Sequence, residues 1–222
     1  MLSSENSDYI FKYIIIGDTS VGKSQILLRY VNDIFNEEYK NTIGVEFGAK
    51  NLNINNTLYR IQIWDTAGQE KYKSIIRGYY KNSVCALIVY DITNKQSFDN
   101  IYKWMEDCKN QSPKNILMAL IGNKNDLEYK RKVNYEEGKD FADKYNMLFF
   151  ETSAKTGDNI DKVFFDTASK IIQSLENGFY DLEDENCGIK ISVTSKKLKI
   201  INNKNDNNDG DEEIIIEKNK CC

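Results

Sequence analysis

The segment Gly17-Asp18-Thr19-Ser20-Val21-Gly22-Lys23-Ser24 constrains everything around it. It reads Gly, four variable residues, Gly-Lys-Ser, a spacing that wraps backbone N–H groups around a dense cluster of anionic oxygens. Gly17 and Gly22 keep side chains out of that cradle. Lys23 brings a point charge to a di- or triphosphate, and Ser24 offers a hydroxyl to a divalent cation. The cradle gains from lying between a strand and a helix, because the helix N-terminus adds its own dipole to the anion site. The flanks agree: Tyr13-Ile14-Ile15-Ile16 is an apolar, largely β-branched run, and Gln25-Ile26-Leu27-Leu28-Arg29-Tyr30-Val31 is helix-forming. The candidate phosphate contacts run from Asp18 through Thr19, Ser20, Val21, Gly22, Lys23 and Ser24 to Gln25.

The remaining pattern predicts what the loop is mounted on. Val45–Ile54 and Leu58–Trp64 partly alternate around the turn Asn55-Asn56, which predicts a β-hairpin. Val84–Tyr90 and Ile116–Ile121 are continuous apolar runs, the signature of strands buried on both faces of a parallel sheet. Met147–Thr152 predicts the last strand, and Ser97–Lys109, Tyr135–Tyr145 and Asn159–Leu175 carry helical periodicity. Strands alternating with helices predict an α/β fold: a mostly parallel, six-stranded sheet with one antiparallel edge strand and helices on both faces. In such sheets ligands sit at the carboxyl ends of strands. Gly17, Asp65, Asn123 and Ser153 each follow one.

Composition removes several classes of function. The 222 residues contain no histidine, so Ser-His-Asp catalysis and imidazole metal ligands are excluded. The five cysteines include no Cys-x-x-Cys spacing, which argues against zinc and thioredoxin chemistry. A net charge of −4 offers no global basic surface, so no nucleic-acid partner is expected. No run of 18 apolar residues predicts a membrane span, and the polar Met1–Asp8 is unlike a signal peptide, so an intracellular protein is expected.

The strand-end residues specify a chemistry. Asp65, followed by Thr66-Ala67-Gly68, is placed to hold Mg²⁺ opposite Ser24, with Gly68 letting an N–H approach the terminal phosphate and Gln69 orienting a water for attack. Asn123-Lys124-Asn125-Asp126 selects the base. Guanine shows two adjacent donors, N1–H and the 2-amino group, and one carboxylate accepts both. Adenine presents N1 as an acceptor, which would face the lone pairs of Asp126. Asn123 braces the loop, the Lys124 stem packs on the ring, and the backbone of Ser153-Ala154-Lys155 can reach the guanine O6. Two rival classes fit the residues less well. A P-loop ATPase or small-molecule kinase is disfavoured by Asp126 and by the lack of a lid segment. A static GTP-binding scaffold is disfavoured because Gln69, Thr42 and Ser24 are all present.

Taken together, Gly17–Ser24, Thr42, Asp65-Thr66-Ala67-Gly68-Gln69, Asn123-Lys124-x-Asp126 and Ser153-Ala154-Lys155 resemble the Ras superfamily of small GTPases, over nearly all of Tyr9 to Leu175. Ile43-Gly44-Val45-Glu46-Phe47, Gln62-Ile63-Trp64-Asp65 and Tyr79-Tyr80 resemble its Rab branch, and Val45-Glu46-Phe47-Gly48-Ala49, Trp104-Met105-Glu106-Asp107 and Glu136-Glu137-Gly138 resemble the subgroup of Rabs two, four and fourteen. The resemblance implies a P-loop NTPase fold, GTP and GDP as substrate and product, and Mg²⁺ held by Ser24, Thr42 and Asp65. It implies Phe35 against the guanine, Gln69 as the catalytic residue, and Ile43, Val45, Phe47, Trp64 and Tyr79 as the surface read by effectors. It further implies an exchange factor, a GTPase-activating protein, a Rab escort protein and a GDP-dissociation inhibitor as partners. The expected location is the cytoplasmic face of Golgi or endosomal membranes, with a cytosolic inhibitor-bound pool.

Three regions follow: a flexible N-terminus at 1–8, the GTPase domain at 9–176, and a disordered tail at 177–222 rich in Asn, Asp and Glu. The tail ends in Cys221-Cys222, which is not a Cys-a-a-X box. The resemblance implies that both cysteines carry geranylgeranyl groups, and two lipids hold a membrane firmly where one holds weakly.

Overall fold

The computed structural model describes residues 7–37, 42, 44–68 and 78–191. The expected alternation of strands and helices is present as β1 (Tyr9–Gly17), α1 (Lys23–Asn32), β2 (Val45–Ile54), β3 (Thr57–Thr66) and β4 (Cys85–Asp91), then α2 (Lys95–Asp99), α3 (Ile101–Gln111), β5 (Leu117–Asn123), α4 (Tyr135–Lys144), β6 (Leu148–Thr152) and α5 (Ile160–Glu176). The strands lie in the order β2-β3-β1-β4-β5-β6. The β2–β3 hairpin is antiparallel, with Phe47 opposite Trp64, and the pairs β1–β3, β1–β4, β4–β5 and β5–β6 are parallel.

Side-chain alternation along β1 divides the core. Phe11, Tyr13 and Ile15 point into one layer with α1 and α5, where Ile26, Leu27, Val163 and Phe164 are buried. Ile14 and Ile16 point into the other, against Ile88, Phe98, Trp104, Met105 and Ala142 from β4, α2, α3 and α4. Central β4 is buried along its whole length, as its unbroken apolar run requires. The single helix expected from Ser97 to Lys109 is interrupted at Asn100. It also begins earlier, because the Asn94 carboxamide oxygen accepts from the Gln96 N–H and caps α2.

Two boundary expectations need correction. Among the described residues the sheet has seven strands, not six: β7 (Ile189–Ile191) pairs antiparallel with β1, placing Phe11 opposite Ile189. The chain after Glu176 is therefore not uniformly disordered. Tyr180 and Cys187 are buried, and the Tyr180 hydroxyl donates to the Asn115 carbonyl at 3.3 Å. The acidic stretch 181–185 hides this, because widely spaced apolar residues around it make no periodic signal. At the other end, Asp8 is not loose: its N–H donates to Leu58 O at 2.8 Å and its carboxylate accepts from Leu58 N at 3.0 Å. Residues 1–6 and 192–222, with the two terminal cysteines, lie outside the described residues.

One core position carries a stability cost. Tyr90 on β4 is fully buried, and its hydroxyl abuts Gly122 and Gly138 without a hydrogen-bond partner among the described residues. A buried unpaired hydroxyl costs about 1–3 kcal/mol, and an apolar group of the same shape removes the penalty. Tyr90→Phe is therefore expected to raise the thermal midpoint by about 2–4 °C. A lower midpoint in a thermal melt would count against it.

Candidate nucleotide-binding site

The carboxyl ends of β1, β3, β5 and β6 open on one cavity of about 410 Å³. Its lining includes Thr19, Ser20, Gly22, Lys23, Ser24, Gln25, Phe35, Thr42, Gly68, Asn123, Lys124, Asp126, Ala154 and Lys155, all expected there, together with Asn36, Glu37 and Leu127, which no motif announced. Asp18, Val21, Asp65 and Ser153, also expected there, are not among its lining residues. Gln69 and Ile43 lie outside the described residues.

The phosphate loop is held open by specific contacts. Gly22 caps α1 with φ 100°, a left-handed conformation that costs glycine little. A Cβ there would meet the Asn123 amide nitrogen at 2.2 Å. That amide donates to Val21 O at 2.8 Å, while Asn123 Oδ1 accepts from the Thr152 hydroxyl and the Ala154 N–H, both at 3.2 Å. One side chain thus ties the phosphate loop to the turn after β6. The Lys124 ammonium donates to Ser20 O at 2.8 Å and pairs with Asp91 at 2.7 Å. Ser153 Oγ donates to Asp126 Oδ1 at 2.6 Å, orienting the carboxylate. Arg29 braces the far wall from α1, donating to the carbonyls of Ala154 at 2.9 Å and Lys155 at 2.8 Å.

Lys23 and Asp65 are buried charges in this wall. Burial pushes the Lys23 ammonium down to about 8, only partly offset by Asp65 and Asp18. Its Nζ donates to the carbonyls of Gly17 at 2.9 Å and Asp18 at 2.7 Å. Burial pushes the Asp65 carboxyl up to about 7 against the opposing pull of Lys23 and Ser24. Ser24 Oγ lies 2.6 Å from Thr42 Oγ1 and donates to Asp65 Oδ2. Asp65 Oδ1 has no hydrogen-bond partner among the described residues. Two hydroxyls and a carboxylate with a spare buried oxygen form an all-oxygen donor set that fits a hard divalent cation such as Mg²⁺.

Beside the cavity the expected aromatic surface is assembled. Phe47 and Trp64 have ring centroids 4.8 Å apart, and Trp64 and Tyr79 lie 5.0 Å apart. Phe47 is half exposed, so the cluster faces outward rather than serving as core alone.

A mostly parallel sheet that brings a glycine-cornered loop with a buried lysine and the Asp126 turn to one cavity at its carboxyl edge has the build of a P-loop nucleotide-binding protein. Residues 12–173 match the model described as the Ras family, and the chain belongs to that family. Within it the chain is 51% identical over 153 residues to Ras-related protein Rab-2B of Dictyostelium discoideum, a match covering 69% of this chain and 76% of that protein, which sets it in the Rab branch. As a Rab-type small GTPase the chain binds GTP and GDP, hydrolyses GTP, and acts as a GTP-dependent switch in vesicle trafficking.

Proposed function

We propose that the cavity holds the nucleotide with its phosphates on the amides of Asp18 to Ser24 and its guanine on Asp126. The observation that carries this reading is the convergence of four strand ends on one cavity whose lining includes both Lys23 and Asp126. Asp126 accepts N1–H and the 2-amino group, the Ala154 and Lys155 backbone meets O6, and Phe35 and the Lys124 stem cover the ring. Ser24, Thr42 and Asp65 would hold Mg²⁺, which supplies charge to the β- and γ-phosphate oxygens when bound. Gln69 orients the attacking water. Thr42 and Gly68 contact the γ-phosphate, so their loops relax after hydrolysis and partners reading Ile43, Val45, Phe47, Trp64 and Tyr79 let go.

Gly68 is suited to that sensing: a Cβ on it would lie 2.4 Å from the Asp18 carbonyl carbon and the Thr19 nitrogen, so its backbone rests directly on the phosphate loop. We further propose that Cys221 and Cys222 carry geranylgeranyl groups, and that the cycle engages effectors, an exchange factor, an activating protein, an escort protein and a GDP-dissociation inhibitor. The site of action is the cytoplasmic face of Golgi or endosomal membranes, in exchange with a cytosolic inhibitor-bound pool.

Equilibrium titration with labelled GDP and ADP tests the base assignment: tight GDP binding and no competition by ADP is expected. Gln69→Leu is expected to slow single-turnover GTP hydrolysis by about tenfold or more while leaving GTP affinity intact, since it removes a group that positions water rather than nucleotide. Equal affinity for both nucleotides, or unchanged hydrolysis, would overturn the respective assignment.

A further inference from the structure

Asp18 follows Gly17 in the phosphate loop. It puts a carboxylate in the second position of a loop built to attract phosphate, where like charge opposes binding. The structure turns that side chain away from the cavity and occupies both of its oxygens. Asn100 Nδ2 donates to Oδ2 at 2.7 Å, and the Trp104 indole N–H donates to Oδ1 at 2.7 Å. The donors come from the break between α2 and α3 and from the first turn of α3. Trp104 is buried at 4% exposure, so the core fixes its indole. Asn100 makes no side-chain capping bond to α3, which leaves its amide for Asp18. On its backbone side Asp18 accepts from Lys23 Nζ, and its peptide link to Thr19 is where Gly68 rests.

We infer that Asn100 and Trp104 are positioning residues for nucleotide retention, a clamp that holds the Asp18 carboxylate outward and so fixes the loop's first peptide against Lys23 and Gly68. Charge-assisted bonds to both carboxylate oxygens give the clamp its strength. Losing one frees a negative charge beside the phosphates and loosens the carbonyl that orients Lys23. The inference rests on the nucleotide assignment above and adds a control point outside the cavity, on the helix pair following β4.

The test is release of labelled GDP from the full chain. Trp104→Phe keeps an aromatic ring, smaller than the indole, and removes the donor, and it should speed release by about tenfold, the scale of a hydrogen bond to a charged group. The affinity ratio of GDP to inosine diphosphate, which lacks the 2-amino group, should not change, because Asp126 is untouched. Adding Asp18→Ala to Trp104→Phe should recover part of the retention by deleting the freed charge. Should Trp104→Phe fail to fold, Asn100→Ala carries the same three measurements. The inference is overturned if release stays within about twofold of the native rate, if the base ratio collapses together with affinity as in general loosening, or if Asp18→Ala accelerates release further. A native chain that retains no GDP overturns the nucleotide assignment along with the clamp; an unaltered variant on a GDP-retaining native chain overturns the clamp alone.

Discussion

Asp126→Asn is expected to weaken GDP binding by about 10²–10⁴-fold, the loss of two hydrogen bonds to a charged acceptor, and to create affinity for xanthosine diphosphate. The reasoning is a donor and acceptor count. One oxygen of Asp126 already accepts from Ser153 Oγ at 2.6 Å, which holds the carboxylate plane. In the variant the amide oxygen keeps Ser153 and the amide nitrogen is turned toward the base. That nitrogen is a donor, and guanine offers two donors against it. Xanthine carries a carbonyl at C2 and pairs with it. Specificity therefore moves rather than vanishes, because the same group that attracts one base repels the other. Competition between GDP and xanthosine diphosphate for a labelled nucleotide measures both halves. GDP affinity within about tenfold of native, or no gain for xanthosine diphosphate, would remove Asp126 from the base-reading role.

The motifs made much of this site legible because each is a backbone requirement written as a residue. Gly22 must adopt a left-handed φ and leave room for Asn123. Asn123 must bridge two loops at once, and only a side chain with both a donor and an acceptor does so. The parallel sheet was equally legible, since β4 and β5 must be apolar on both faces. Arg29 was not legible: it is one polar residue on an amphipathic helix, and its role at the Ala154 and Lys155 carbonyls depends on where α1 lands. Glu37, paired with Lys155 at 2.9 Å across the cavity mouth, sits in a stretch that reads only as a polar loop. Asp18 and Ser153 stand in the motifs, but what their side chains touch was not legible there: Asp18 meets Asn100 and Trp104, and Ser153 meets Asp126. β7 escaped because three residues carry too little pattern to separate a strand from an acidic tail.

Lys23→Met should show how far this wall is built for its ligand rather than for its own stability. The variant is expected to lose about 10²–10⁴-fold in GTP affinity, since phosphate charge is left without its buried partner. Yet in protein stripped of nucleotide and metal the same change should raise stability near neutral pH. The native Lys23 titrates at about 8 in the fold against 10.5 for an ordinary lysine, so between those values the unfolded chain binds more protons. Stability of the native chain then rises with pH across that interval, and the relief is complete above 10.5 and gone below about 8. The displacement corresponds to roughly 3 kcal/mol. Lys23→Met lacks this rise, so the two stability curves, read by denaturant titration from pH 7 to 11, should lie furthest apart at the neutral end and converge upward. Parallel curves would mean that the ammonium is well solvated, against its 5% exposure and its two carbonyl partners. Convergence would mean that the fold bears an unfavourable buried charge at the one place where phosphate compensates it, so ligand binding and stability become the same measurement there.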